Sequence, residues 1–195
     1  MKVYEKLLLE NKAWVQERLQ VNEKYFNKLN QPRHPHTLWI GCTDSRVSPN
    51  VILNRELGDV CKHQNPGPIV RRDDPNSTSA IYHAIVNLNV RHIVICGHTA
   101  SDYVEMSMMG ELPPIMADWL QPIADLYEEN KPELQKVKNL HERADKLSEL
   151  NVHRQVENLA DYDFVKKYKE EGHKLWLHGW MFNLKTGLIS DVHSL

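Results

Sequence analysis

Two short apolar segments each end beside side chains that can bind a metal ion. Cys42 and Asp44 follow segment 37–41, and His98 follows segment 92–97. A thiolate, a carboxylate and an imidazole are good zinc ligands, and a zinc ion with three protein ligands and one open position activates water at neutral pH. Cysteine and histidine at such positions also occur as ordinary packing residues, so the spacing alone leaves both interpretations open.

The elements around these side chains explain how they could meet. Both apolar segments precede polar loops, a pattern that is typical of buried parallel strands. Residues 60–63 predict another short strand, and residues 78–88 predict a helix that crosses back to the sheet. Because open α/β sheets bind ligands just beyond the carboxyl ends of their strands, Cys42 and His98 are expected at the same edge of the sheet.

The flanking segments predict long helices and a hairpin near the end of the chain. Asp163 has the residue type of a helix cap, and Thr186-Gly187 suggests a turn between two strands. The predicted helices cover residues 4–29, 115–127, 133–160 and 164–171, and the predicted strands cover residues 174–182 and 188–192.

Length and charge narrow the class of protein. The 195 residues fit one domain, 1–195, in which residues 1–31 form an N-terminal helical arm. With 24 Lys and Arg against 26 Asp and Glu, the chain has no strongly basic surface for nucleic acid. No apolar run suits a signal peptide or a membrane span, so a cytoplasmic location is expected, and the three cysteines are expected to be reduced.

Four groups of residues occur in the order typical of one enzyme family. They are Gly41-Cys42-Thr43-Asp44-Ser45-Arg46-Val47, then Ile95-Cys96-Gly97-His98-Thr99, then Leu150-Asn151-Val152 with Gln155-Val156 and Asn158-Leu159, and finally His178-Gly179-Trp180 with Thr186-Gly187-Leu188. Over residues 1 to about 192 the chain resembles the β-class carbonic anhydrases, particularly their bacterial members. The resemblance implies an α/β fold with a mainly parallel central sheet flanked by helices, a zinc cofactor, and reversible hydration of carbon dioxide to bicarbonate.

The resemblance also assigns roles to individual residues. Cys42 and His98 fall on zinc-ligand positions, and Asp44 and Arg46 fall on a pair in which the arginine draws the carboxylate away from the metal. The third protein ligand of the family is a cysteine three residues after the histidine, and here that residue is Ser101. A neutral hydroxyl binds zinc poorly, so the resemblance predicts zinc at reduced affinity or none. Asp102 is an alternative oxygen ligand.

Several other positions differ from the family pattern. The family has two glycines after the third ligand, a glutamine that reaches the substrate across the dimer interface, and in some members a tyrosine in the pocket. Some bacterial relatives also bind an inhibitory bicarbonate between a tryptophan, an arginine and a tyrosine. The residues that fall on these positions, and that would line a substrate or anion pocket, are Arg33, Trp39, Gln64, His83, Asp102 and Tyr103, with Phe182 in place of the last tyrosine.

These differences leave three hypotheses. The first is a divergent, metal-free relative with weak or lost hydration of carbon dioxide, which binds a small anion or another protein. The second is a working zinc enzyme that uses Cys42, Asp44 and His98 with water. The third is an enzyme for another small electrophile, which no residue specifically supports. An engineered removal of zinc would explain Ser101 alone, whereas the accompanying changes favour natural divergence. The apolar side chains of the arm predict self-association as a dimer or tetramer.

Overall fold

A computed structural model describes residues 2–32 and 34–195. The chain forms two compact units, residues 1–33 and 34–195. The interpretation of the whole chain as a single domain with an arm of residues 1–31 stays a prediction. Within the described residues, no helix is both long enough and apolar enough to cross a membrane.

The N-terminal unit contains two helices, α1 (Val3–Val21) and α2 (Tyr25–Leu29). The prediction of one helix over residues 4–29 was therefore wrong. Asn22 has an extended backbone, and its side-chain oxygen accepts a hydrogen bond from the Lys24 amide at 3.0 Å. This local bond competes with helical bonding and separates the two helices. None of the described residues of α1 is buried, and the exposed apolar side chains include those of Val3, Leu7, Leu8 and Leu9.

The second unit is built on a five-stranded sheet with strand order β2-β1-β3-β4-β5. The first four strands are parallel, and β5 is antiparallel to β4. The expected α/β fold with a mainly parallel sheet is therefore confirmed. The strands are β1 (Thr37–Cys42), β2 (Val60–Asn65), β3 (His92–His98), β4 (Trp176–Phe182) and β5 (Ile189–Ser194).

Six helices accompany the sheet among the described residues of this unit. The helix after β2 begins earlier than predicted because the Asp74 carboxylate accepts hydrogen bonds from the amides of Asn76 and Ser77. It continues into a π-helical turn, 83–87. The helices are α3 (Pro49–Ile52), α4 (Pro75–Tyr82), α5 (Asp102–Met109), α6 (Pro114–Leu134), α7 (Leu140–Ala160) and α8 (Asp163–Glu170).

Two further sequence-based helix assignments were wrong. The predicted helix over residues 133–160 is divided between α6 and α7, because the Asn139 side chain accepts hydrogen bonds from the amides of His141 and Glu142 and so starts a new helix. Asp163 is the first helical residue of α8 rather than its cap, and Tyr162 lies at the cap position.

Both faces of the sheet are buried, which explains the continuous apolar runs of β1 and β3. Alternate residues of a strand point to opposite faces. Leu38, Ile40 and Ile93 pack on one face with apolar side chains of α4, α7 and α8. Trp39 and its neighbours pack on the other face, in a cluster with Val47, Val60, Val94, Cys96 and Phe182.

Candidate active site

Cys42 is the last residue of β1 and is fully buried. Burial raises the pKa of its thiol to about 11, and the negative charge of Asp44 acts in the same direction. A hydrogen bond from the backbone of Gly67 and the neighbouring Ser101 hydroxyl lower the pKa, but by less. At neutral pH the site therefore holds a neutral thiol until a cation displaces its proton.

Asp44 and Arg46 form a bidentate ion pair in the loop after β1. The Arg46 Nε donates to Asp44 Oδ1 at 3.0 Å and Oδ2 at 3.2 Å, and Arg46 Nη2 donates to Oδ2 at 2.6 Å. The Arg46 amide donates to Oδ1 at 2.8 Å. The side-chain hydrogen bond from Arg46 outweighs the effect of burial and lowers the pKa of Asp44 from its usual 3.8 to about 2. Asp44 is thus ionised at neutral pH and is already paired with the Arg46 guanidinium.

The pair predicts an acid-dependent contribution to stability. Because the folded-state pKa is lowered, the stabilisation is complete above the unfolded pKa of Asp44 and is lost as the pH falls through about 2. Arg46 is half-exposed, so solvent screening reduces the effect to about 1 kcal/mol. We expect the free energy of unfolding to fall about 1 kcal/mol more in the unsubstituted chain than in Asp44→Asn between pH 5 and pH 2, as measured by urea titration. Equal losses in the two proteins would contradict this assignment.

His98 ends β3, and one of its ring nitrogens forms no hydrogen bond to any described residue. Its Nδ1 lies 2.9 Å from the Thr99 carbonyl oxygen, which can only accept, so Nδ1 carries the proton. The opposite nitrogen, Nε2, is buried, has no hydrogen-bond partner among the described residues, and lies 3.7 Å from Asp44 Oδ2. A histidine with Nδ1–H fixed by a carbonyl and a free Nε2 lone pair has the arrangement of a metal ligand.

Ser101 precedes the first residue of α5 and is buried. Serine is a favoured helix cap, yet the Ser101 side chain forms no capping bond. Its Oγ lies beside the Cys42 thiol without a hydrogen bond of ordinary geometry to any described residue. The structure therefore brings the Ser101 hydroxyl to the Cys42 thiol.

Asp102 and Tyr103 start α5 at the edge of this site. The Tyr103 hydroxyl donates to the Thr43 carbonyl oxygen at 3.3 Å, so this side chain joins α5 to the loop after β1. Burial raises the pKa of Tyr103, and negative charge at Cys42, Asp44 and Asp102 adds to that effect. The charge of Asp102 also raises the pKa of Arg46, although the Asp44 hydrogen bond is the larger cause. Asp102 thus acts on the electrostatics of the site, whereas Tyr103 responds to them.

The other candidate pocket residues lie in different places. The Gln64 side chain donates to the Cys42 carbonyl at 3.1 Å and the Val47 carbonyl at 3.4 Å, so it braces the backbone beside the site. Trp39 is buried in the apolar cluster on the opposite sheet face from Leu38 and Ile40. His83 is exposed in the π-helical turn, where its ring Nδ1 lies 2.8 Å from the Asn87 side-chain amide. Arg33 lies outside the described residues.

A buried polar network holds the loop whose Gly67 amide contacts Cys42. Gln155 Oε1 accepts from the Val70 amide at 2.9 Å, and Asn151 Nδ2 donates to the Gly67 carbonyl at 3.0 Å. Gln155 and Asn151 are bonded to each other at 2.8 Å. Sequence reasoning did not assign them this role, although polar residues on the buried face of an amphipathic helix at positions i and i+4 were the available signal.

A second residue missed from the sequence is Asp145 on α7. Its Oδ1 accepts a hydrogen bond from the Ala100 amide at 2.8 Å, and the Ala100 carbonyl accepts from Arg46 Nη2 at 3.1 Å. The signal in the sequence was weak because an aspartate in the charged segment 140–149 looks like any solvated helix residue.

The donor set fits zinc in part. Cys42 offers a thiol and His98 an unpartnered imidazole nitrogen, and both are good zinc ligands. Within residues 2–32 and 34–195, no three His, Cys, Asp or Glu side chains are grouped to hold one metal ion. Ser101, which lies where a third donor is needed, is a poor ligand.

Comparison with known proteins identifies the family of this chain. A family model described as carbonic anhydrase matches residues 37–189. A carbonic anhydrase of Emericella nidulans is 36% identical over 191 residues, covering 97% of this chain and 83% of the relative, and one of Helicobacter pylori is 28% identical over 182 residues, covering 88% and 82%.

Solved structures agree as well. A β-carbonic anhydrase of Sordaria macrospora, described as tetrameric, superposes with a TM-score of 0.94 at 31% identity and covers 98% of both chains. The β-carbonic anhydrase CafA of Aspergillus fumigatus superposes with a TM-score of 0.91 at 30% identity, covering 97% of this chain and 90% of that one. The chain belongs to the β-class carbonic anhydrase family.

Proposed function

We propose that this chain is a divergent β-class carbonic anhydrase in which reversible hydration of carbon dioxide is weak or lost. The observation that carries the proposal is the buried Ser101 hydroxyl beside Cys42, where the family has a third zinc-binding cysteine. Asp44 does not replace that cysteine because Arg46 already holds both of its carboxylate oxygens. Two strong donors remain, and they bind zinc less tightly than three.

Cys42 and His98 are the residues that would hold zinc. When bound, zinc supplies a Lewis acid that activates water for attack on carbon dioxide. The residues of the chain would position the reacting water. Asp44 offers an ionised oxygen as a proton acceptor, and Arg46 fixes the direction of that oxygen. Burial of Cys42 and His98 excludes bulk water from the donors.

The substrate class follows from the family and the charge of the site. Arg46 is half-exposed and suits a small anion such as bicarbonate, since guanidinium groups pair well with planar carboxylate-like oxygens. Arg46 also has a role inside the chain, because its guanidinium forms an ion pair with Asp44. The proposal keeps carbon dioxide or bicarbonate as the ligand class, although the Asp44 ion pair already occupies part of the Arg46 guanidinium.

The proposal includes self-association as a dimer or tetramer and a cytoplasmic location for a single domain of residues 1–195 with an arm of residues 1–31. The apolar side chains of α1 are exposed, and burial against a second copy would remove them from water. The Sordaria relative is described as tetrameric, which supports this part of the proposal.

A working zinc enzyme that uses Cys42, Asp44, His98 and water is the second candidate. It is favoured by the 3.7 Å separation of His98 Nε2 and Asp44 Oδ2, which is near the roughly 3.4 Å between two ligand atoms of a tetrahedral zinc site. For Asp44 to bind the metal, however, it must give up at least part of its bidentate pairing with Arg46.

Metal analysis separates the two candidates. Protein expressed with ample zinc and purified without chelators is assayed for zinc content and for stopped-flow hydration of carbon dioxide, with His98→Ala as the matched baseline. We expect well under one zinc per chain and a hydration rate close to that of His98→Ala. One zinc per chain together with rapid turnover would overturn the proposal in favour of the working enzyme.

A further inference from the structure

The residue before Ser101 has an uncommon backbone conformation. Ala100 has a φ of 52°, in the left-handed region that residues other than glycine and asparagine rarely adopt. A Cβ in this conformation lies too close to the neighbouring carbonyl oxygen, so the conformation is unfavourable for alanine. The conformation therefore needs contacts from outside the loop to maintain it.

Two hydrogen bonds hold Ala100 from opposite sides. Its amide donates to Asp145 Oδ1 at 2.8 Å, and its carbonyl accepts from Arg46 Nη2 at 3.1 Å. Asp145 lies within the 21-residue helix α7, next to the buried Ala144. The same helix supplies Ser148, whose hydroxyl donates to the His98 carbonyl at 3.2 Å. The loop 98–101 is thus anchored to α7 at two points.

We propose that Asp145 is a positioning residue for the Asp44–Arg46 pair, acting through the backbone of Ala100. This inference rests on the proposed function because it concerns the same site. The contacts form a continuous chain: Asp145 holds the Ala100 amide, the fixed peptide presents the Ala100 carbonyl to Arg46, and Arg46 holds Asp44.

The fixed Ala100 carbonyl restricts the orientation of the Arg46 guanidinium. Arg46 Nη2 is shared between Asp44 Oδ2 at 2.6 Å and the Ala100 carbonyl at 3.1 Å, so the guanidinium is bound on two sides even though its side chain is about half exposed. If the Asp145 bond is lost, Ala100 is free to relax to a negative φ and to move its carbonyl away from Arg46. Arg46 then keeps one partner, and Asp44 becomes freer to turn.

The test measures the rate at which the Arg46 Nε proton exchanges with water, by nitrogen-15 NMR at mildly acidic pH without added metal. The signal is assigned by its disappearance in Arg46→Lys. We expect exchange to become about tenfold faster in Asp145→Ala, which removes the acceptor, and to stay near the original rate in Asp145→Asn, whose amide oxygen can still accept from Ala100.

Glu149→Ala is the matched control because it removes an equal charge one helical turn away, where Glu149 contacts Lys146. It is expected to leave Arg46 exchange unchanged. A purely structural role for Asp145 would lower the melting temperature without changing Arg46 exchange, and that result would overturn the inference. If Asp145→Ala is too unstable to measure, Asp145→Ser, whose shorter side chain does not reach the amide, gives the same comparison.

The two proposals fail in different ways. Stoichiometric zinc and rapid turnover in the unsubstituted chain would overturn the proposed function and leave Arg46 exchange unaffected. Unchanged exchange in Asp145→Ala would overturn the positioning role, whatever the zinc content.

Discussion

Ser101→Cys is expected to bind zinc at least about 100-fold more tightly than the unsubstituted chain, with one zinc per chain at saturation. A structural zinc site contributes on the order of 10 kcal/mol, and a third strong ligand supplies a substantial part of that free energy. The hydroxyl of Ser101 already lies beside Cys42 and has no hydrogen bond to lose among the described residues. Competition titration against a chromophoric chelator measures the change.

Ser107→Cys is the matched control for this substitution. Ser107 is also buried and lies on α5, the helix that Ser101 precedes, but its hydroxyl donates a 2.7 Å hydrogen bond to the Tyr103 carbonyl oxygen. It adds a thiol to the same helix outside the site, and the zinc affinity should not change. Equal affinities for Ser101→Cys and the unsubstituted chain would show that Ser101 is not at a ligand position.

Turnover of carbon dioxide by Ser101→Cys is expected to stay slow even with zinc bound. Asp102 places a carboxylate near Arg46, and Tyr103 joins α5 to the loop after β1. The resemblance to the family assigns glycine to both positions. Rapid turnover in Ser101→Cys, measured by stopped flow, would show that these two residues matter little.

Gln155→Leu is expected to destabilise the fold by about 3 kcal/mol. Gln155 is 1% exposed and forms bonds to the Val70 amide, to Asn151 and to Asn158. Leucine keeps the volume but leaves these buried polar groups unpaired, and each unpaired group costs about 1 to 3 kcal/mol, partly offset by relaxation. Urea titration of the two proteins gives the difference in free energy of unfolding.

Gln121→Leu is the comparison for this substitution. Gln121 is exposed on α6, where its side chain bonds to Asp125 at 2.7 Å, so its replacement should change stability by less than about 0.5 kcal/mol. A loss below about 1 kcal/mol in Gln155→Leu would mean that water replaces the missing contacts and that the loop around Gly67 does not depend on the network.

The strands were predictable from the sequence because buried parallel strands are continuous apolar runs. Segments 37–41 and 92–97 were identified on that basis, and the structure pairs them as the neighbouring parallel strands β1 and β3. The helix breaks were not predicted. Asn22 and Asn139 interrupt helical patterns through side-chain hydrogen bonds to nearby amides, and an asparagine in the middle of an apolar periodicity looks the same whether it caps or is simply solvated.

Contacts between residues far apart in the sequence were also not predicted. The bond between Asp145 and the Ala100 amide joins residues 45 positions apart, and the bond between Gln155 and the Val70 amide joins residues 85 apart. Local patterns do not report which backbone amide a polar side chain will reach. The resemblance to a family placed Ser101 beside Cys42, whereas the left-handed conformation of Ala100 could not be inferred from its residue type.

Because His98 Nε2 forms no hydrogen bond to a described residue, we expect the melting temperature of this protein to depend on the divalent cations in solution. A buried acceptor that receives no hydrogen bond lowers the free energy of unfolding by about 1 to 3 kcal/mol. A cation that binds to this nitrogen in the folded state alone would restore that stability. By mass action, each tenfold rise in free cation above its dissociation constant adds about 1.4 kcal/mol to stability. Thermal unfolding followed across a series of divalent ions therefore ranks the ions that this site accepts, even when none of them supports turnover.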